Sequence, residues 1–263
     1  MGKEKLAAAF QTVKKRGDKA FVPYIMAGDG GLDQLDDQLS FLEEAGATAV
    51  ELGIAFSDPV ADGPTIQEAG LRALANGVSL RSVLDKLKEK KDERNIPIVL
   101  MTYINPIHAY GVTEFASSCA EAGVDGLIIP DLPLEEEGLV TDSLAENGIA
   151  LIRLAALTST EDRLTEIAKR TEGFLYAVTV TGTTGVRSVF KENLGQHLEK
   201  LREACNVPVL AGFGVSTPEH VTLLTEHCDG VVVGSRIVDL LYKGERDTIR
   251  ELIQSAQISK VNN

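Results

Sequence analysis

Two carboxylates eleven residues apart, Glu51 and Asp62, are the residues whose types and spacing best suit chemistry. Glu51 falls inside the apolar run Val50-Glu51-Leu52-Gly53-Ile54, which reads as a β-strand. A carboxylate buried by a strand is costly unless it is paired or stays protonated. Asp62 follows on a loop crowded with turn formers, Ser57-Asp58-Pro59 and Ala61-Asp62-Gly63-Pro64, which can fold back over the strand end. Two carboxylates in unlike surroundings hold unlike pKa values, which suits paired general acid and base work. By themselves these residues have a plainer reading, a solvated strand Glu followed by ordinary turn chemistry. Their position in the fold has to decide.

Apolar runs rich in β-branched residues predict eight strands, near 20–27, 48–54, 97–103, 126–131, 150–156, 174–180, 207–212 and 230–234. Helical spacing fills the gaps near 33–45, 65–91 (broken at Asn76-Gly77), 113–122, 135–147, 160–171, 194–204, 217–227 and 245–257. Three junctions repeat a weak βα signature: Glu44-Ala45-Gly46, Glu121-Ala122-Gly123 and Glu146-Asn147-Gly148 each end a helix before the next strand. Strands that are apolar throughout, each followed by a helix, imply a parallel sheet covered by helices. Eight such units predict a (β/α)8 TIM barrel over residues 1–263, a single domain with no Pro/Ser-rich linker. The helix at 4–15 is then an extra element that caps the barrel bottom.

In this fold the active site lies at the C-terminal ends of the strands. Ala49, Glu51 and Gly53 share one strand face and Val50 and Leu52 the other. The branched pair should face the helices. Glu51 then points into the barrel mouth, where burial raises its pKa. That favours the catalytic reading.

Glycine-rich loops follow the last three strands: Gly182-Thr183-Thr184-Gly185, Gly212-Phe213-Gly214-Val215-Ser216 and Gly234-Ser235-Arg236. Glycine lets backbone N–H groups approach an anion, and a short helix starting near Ser235 would add its N-terminal dipole. Phosphate sites of this barrel class occupy such loops. Arg236 is either a phosphate partner or a surface residue. No proposed strand contains lysine, which argues against Schiff-base chemistry. His108, His197, His220 and His227 show no ligand spacing, which argues against a metal centre, and all four read as solvated. Ser57 has no nearby histidine to activate it. Cofactor-free acid–base chemistry on a small phosphorylated molecule is what survives.

The net charge of −13 repels phosphate backbones and anionic lipid, so neither nucleic acid nor a membrane is expected as a partner. Three scattered cysteines, Cys119, Cys205 and Cys228, suggest a reducing compartment. The N-terminal apolar run, Leu6 to Phe10, is too short for a signal peptide, and no stretch is suited to span a bilayer. A cytoplasmic protein is expected.

The stretch Glu51-Leu52-Gly53 through Phe56-Ser57-Asp58-Pro59-Val60-Ala61-Asp62-Gly63-Pro64 resembles the signature of the tryptophan synthase alpha chain family. The likeness extends to Phe21-Val22-Pro23-Tyr24, Tyr103-Ile104-Asn105-Pro106, Pro130-Asp131-Leu132-Pro133 and the glycine loops, and so covers almost the whole chain. It implies retro-aldol cleavage of indole-3-glycerol phosphate to indole and glyceraldehyde 3-phosphate. Glu51 would handle the proton at indole C3 and the glycerol hydroxyl, and Asp62 the charge at the indole N–H. Gly185, Gly214, Gly234 and Ser235 would hold the phosphate, and Thr184 would help close its loop onto Asp62. Tyr176, Tyr24, Tyr103 and, last in order, Phe21 are candidates to line an apolar slot for indole, with core packing as the alternative for each.

The resemblance also implies a partner, the tryptophan synthase beta chain in an α2β2 heterotetramer, which would carry pyridoxal phosphate; no cofactor is expected on this chain. The segments at Asp58-Pro59 and Asn105-Pro106 would form the docking surface. Three residues depart from the family pattern: Ala55 in place of Pro, Thr183 in place of Val, and Arg153 in a normally apolar strand. Rival readings are a sugar-phosphate isomerase using the same carboxylates, a barrel kept only to activate a partner, and a stand-alone indole-releasing lyase.

Overall fold

The structure, a computed structural model, describes residues 2–156, 158–178, 187–212 and 214–257, the side chains of 187–193 excepted. Among these, nine strands form one parallel sheet: β1 (Ala20–Met26), β2 (Val50–Gly53), β3 (Ile98–Met101), β4 (Gly126–Ile128), β5 (Ala150–Leu151), β6 (Arg153–Ala156), β7 (Leu175–Val178), β8 (Val209–Gly212) and β9 (Gly230–Val233). Their order is β5-β4-β3-β2-β1-β9-β8-β7-β6. The two edges, β5 and β6, are consecutive in the chain with only Ile152 between them. The expected fifth strand is thus split, its first half paired with β4 and its second half with β7. Ile152 still donates its N–H to the Leu127 carbonyl at 2.9 Å. Chain continuity at this point joins the edges, and the sheet curls into the expected barrel.

The helices are α1 (Gly2–Lys15), α2 (Leu35–Ala45), α3 (Pro64–Ala75), α4 (Leu80–Glu89), α5 (Ile104–Tyr110), α6 (Val112–Ala122), α7 (Thr141–Glu146), α8 (Glu161–Arg170), α9 (Arg187–Ala204), α10 (Pro218–Thr225), α11 (Ser235–Lys243) and α12 (Arg246–Gln254). The long pattern after β2 breaks where Asn76-Gly77 predicts, and Ser79 and Ser82 form a capping box that restarts the chain as α4. Gly46 and Gly123 end α2 and α6 in the left-handed conformation.

Three helical regions differ from expectation, α9 by starting at Arg187 rather than near 194. The segment around Asn105-Pro106, outside every predicted helix, is the helix α5. Pro106 lies in its first turn, where a missing N–H breaks no intrahelical bond, and the Ile104 N–H is satisfied by Asp131 Oδ1 at 3.0 Å. The helix expected over 135–147 is instead a 3₁₀ segment, Leu134–Leu139, followed by the short α7.

The two-residue alternation of the strands divides the core. Ala20, Val22, Ala49, Val99, Ile128, Ile152, Tyr176, Leu210 and Val232 fill the interior together with Leu6 and Phe10 of α1. Val50, Leu52, Ile98 and Leu100 face the helices instead. Leu6 and Phe10 are buried, so α1 plugs the barrel bottom as expected. Each contributes roughly 1.5–3 kcal/mol through burial. Lys5 fastens the same end, donating to the carbonyls of Arg94 and Ile96 at 3.2 Å each and standing 3.7 Å from buried Asp125. With the bottom sealed, the open end is the one where the strands finish.

Candidate active site

Glu51 stands in register with Tyr24 of β1 and Val99 of β3. Its neighbours Val50 and Leu52 pack outward, while Ala49 belongs to the interior, so alternation turns Glu51 into the barrel. The side chain is only 2% exposed. Its Oε2 has no hydrogen-bond partner among the described residues. Burial, and secondarily the charge of Asp62, raises the Glu51 carboxyl to about 8. It is an acid at neutral pH.

Asp62 reaches the same region from the loop after β2. The Asp62 N–H bonds the Pro59 carbonyl at 3.1 Å, and Gln67 at the start of α3 donates to the Asp62 carbonyl at 2.9 Å. These two bonds bend the loop back over the strand. Burial raises Asp62 to about 6, opposed by hydrogen bonding from the Tyr103 hydroxyl. Between about pH 6 and 8 the pair therefore holds one proton, on Glu51, and one charge, on Asp62. Environment alone has split two carboxylates into an acid and a base.

Three tyrosines surround the pair. The Tyr24 hydroxyl lies against Gly53, in the space that a Cβ there would occupy, so β2 must carry glycine at this position. Burial first, then the charges of Asp62 and Glu51, raise the Tyr24 phenol well above its usual range, and it remains a hydrogen donor. Tyr176 is raised in the same way by burial and by Glu51. Its ring occupies the space over Gly212, where a Cβ would come within 2.5 Å of it. Tyr103 supplies the third phenol and packs 5.4 Å from the Phe56 ring.

For Phe21 the structure selects core packing over the indole slot. Its side chain belongs to the outer core, between the sheet and the helices. Phe21 has the opposite parity to Tyr24 along β1, so it turns away from the mouth. The link between Gly53 and Tyr24 was missed by sequence reasoning, although their shared inward parity with Glu51 was available as a signal.

At the loop expected to hold phosphate, Gly234 stands at the N-cap of α11 and Ser235 is its first residue, as expected. The first-turn N–H groups of such a helix have no intrahelical acceptor and point outward from its end. A Cβ built on Gly234 would rest 3.7 Å from Tyr24 Cβ, which sets this helix end beside the carboxylate site. Gly214 is exposed with φ 82°. Thr183, Thr184 and Gly185 lie outside the described residues. Arg236 is engaged with Asp239 at 3.3 Å.

Arg153 turns outward and pairs with Glu137 at 2.7 Å, adding bonds to the carbonyls of Leu151 and Arg170. It thereby clamps the break between β5 and β6. Ala55 is half-buried against the outer core. His227 departs from the solvated reading, since its Nδ1 lies 2.8 Å from Glu199.

Comparison with known proteins identifies the family. A sequence model of the family described as Tryptophan synthase alpha chain matches residues 10–262. The tryptophan synthase alpha chain of Oceanobacillus iheyensis is 59% identical over 261 residues, covering 99% of this chain and 100% of the relative. That of Bacillus cereus strain ATCC 14579 is 52% identical over 257 residues, covering 98% of each. The crystal structure of tryptophan synthase subunit alpha from Legionella pneumophila str. Paris superposes with a TM-score of 0.87 at 31% identity, covering 98% of this chain and 99% of that one. The chain belongs to the tryptophan synthase alpha chain family.

Proposed function

We propose that Glu51 and Asp62 perform the acid–base steps of the alpha reaction in this chain. The chain is a carbon–carbon lyase that cleaves indole-3-glycerol phosphate to indole and glyceraldehyde 3-phosphate and passes indole to the beta chain. Indole leaves poorly as a carbanion, so C3 must first be protonated. The protonated Glu51 carboxyl gives its proton to C3, and the Asp62 carboxylate stabilises the positive charge that develops at the indole N–H. Glu51, now a carboxylate, takes the proton of the hydroxyl on the glycerol carbon next to the ring. The carbon–carbon bond breaks, its electrons restore the indole ring, the aldehyde forms, and Glu51 ends protonated as it began.

The observation that carries this reading is the split between the carboxyls, about 8 for Glu51 and about 6 for Asp62. The tyrosines support an aromatic slot: Tyr24, Tyr103 and Tyr176 are buried beside the carboxyls. Gly185, Gly214, Gly234 and Ser235 take the phosphate, and Thr184 serves to close its loop onto Asp62. Docking of the beta chain uses the loop around Asp58-Pro59, where Val60 is 81% exposed, and the first turn of α5. We place the chain in the cytoplasm, a reading supported by its free cysteines and by the lack, among the described residues, of any helix long and apolar enough to cross a membrane.

The test is indole release from indole-3-glycerol phosphate, with and without a tryptophan synthase beta chain. Slow release that rises with the partner and is lost in Glu51→Gln is expected. Undiminished release by Glu51→Gln would falsify the assignment.

A further inference from the structure

Tyr103 stands at the N-cap position of α5, where its own side chain meets the loop after β2 and its neighbour Ile104 meets the loop after β4. Its hydroxyl accepts the Ala61 N–H at 3.0 Å. Its ring packs on Phe56, from the same loop after β2. The next residue, Ile104, gives its N–H to Asp131, on the loop after β4. A phenol hydroxyl accepts and donates at once. With Ala61 as the incoming donor, its own proton is directed to the Asp62 carboxylate.

We propose that Tyr103 is a positioning residue, a clasp whose hydroxyl fixes Asp62 and the peptide before it for their meeting with the indole N–H. The proposal rests on the role given above to Asp62. It assigns Tyr103 more than a wall of the aromatic slot, because a wall needs only the ring. The groups that face Asp62 are Glu51 from β2, Tyr24 from β1 and Tyr103 from the end of β3, with Tyr176 beside Glu51 and Asp131 beside Tyr103. None of them is cationic. The hydroxyl of Tyr103 is therefore the group that favours the charged form of Asp62, and losing it makes that carboxylate harder to ionise.

Tyr103→Phe keeps the ring and removes only the hydroxyl. Two readouts need no catalysis: carbon-13 NMR titration of Asp62 in the full chain, and hydrogen exchange of the Ala61 amide. The Asp62 titration is expected to move up by about one pH unit, and Ala61 exchange to quicken about tenfold. In the complex with the beta chain, the acidic limb of kcat/KM should move upward with the Asp62 titration. Phe56→Leu, which disturbs the ring packing but spares the hydroxyl, should leave the Asp62 titration in place. An unchanged Asp62 titration and Ala61 exchange in Tyr103→Phe overturn the clasp, as does an equal shift in Phe56→Leu. Should the wild-type chain release no indole, the role of Asp62 fails, whereas the titration and exchange still decide whether the clasp exists.

Discussion

The Tyr24 hydroxyl lies against Gly53, one inward position beyond Glu51 on β2. Tyr24 and Glu51 are register partners, and the phenol reaches Gly53 close enough to Glu51 to feel its charge. Gly53→Ala puts a methyl group where the hydroxyl is. The ring must move, at a cost of about 1–3 kcal/mol, and indole release should fall by on the order of tenfold or more because the slot loses its shape. Urea unfolding and the indole assay, run together, check both effects.

Glu51 also sets how stability depends on pH. Its folded carboxyl titrates near 8 against an ordinary 4.5, so the folded chain holds its proton more tightly than the unfolded one. The contribution is full below about 4.5 and is lost as pH rises to about 8. Asp62, near 6 against 3.8, adds the same sign over a lower window. Glu51→Gln should flatten the stability profile and raise unfolding free energy above pH 8 by on the order of 2–4 kcal/mol. Urea melts of the ligand-free chain at pH 5, 7 and 9 are the check. Equal slopes in both proteins contradict it.

The plug helix offers a test that separates stability from chemistry. Leu6 is fully buried at the barrel bottom, against the interior side chains and remote from the strand ends that carry the site. Leu6→Ala should cost about 2–5 kcal/mol while kcat/KM per folded molecule stays within about twofold of wild type. Denaturation midpoints and assays at low temperature measure the two quantities.

The barrel, the plug helix and the direction of Glu51 were legible because strand alternation and the βα rhythm are local patterns. The break at Ile152 was not, since it arises where the chain passes from pairing with β4 to pairing with β7. The helix α5 was hidden by Asn105-Pro106, which reads as a turn until a distant acceptor, Asp131, caps it. For Phe21, last among the slot candidates, the core-packing alternative holds, and Tyr24 has the inward phase on β1. The bond from Ala61 to Tyr103 joins residues 42 apart and has no sequence signature.

The measurement that tests the carboxylate pair most directly is the pH dependence of kcat/KM for indole release, because this ratio reports the free enzyme's groups. The account predicts a bell with its acidic limb near 6, from Asp62, and its basic limb near 8, from Glu51. Asp62→Asn should remove the acidic limb and cut the rate by about a hundredfold or more. A profile flat from pH 5 to pH 9, or an acidic limb that persists in Asp62→Asn, contradicts it.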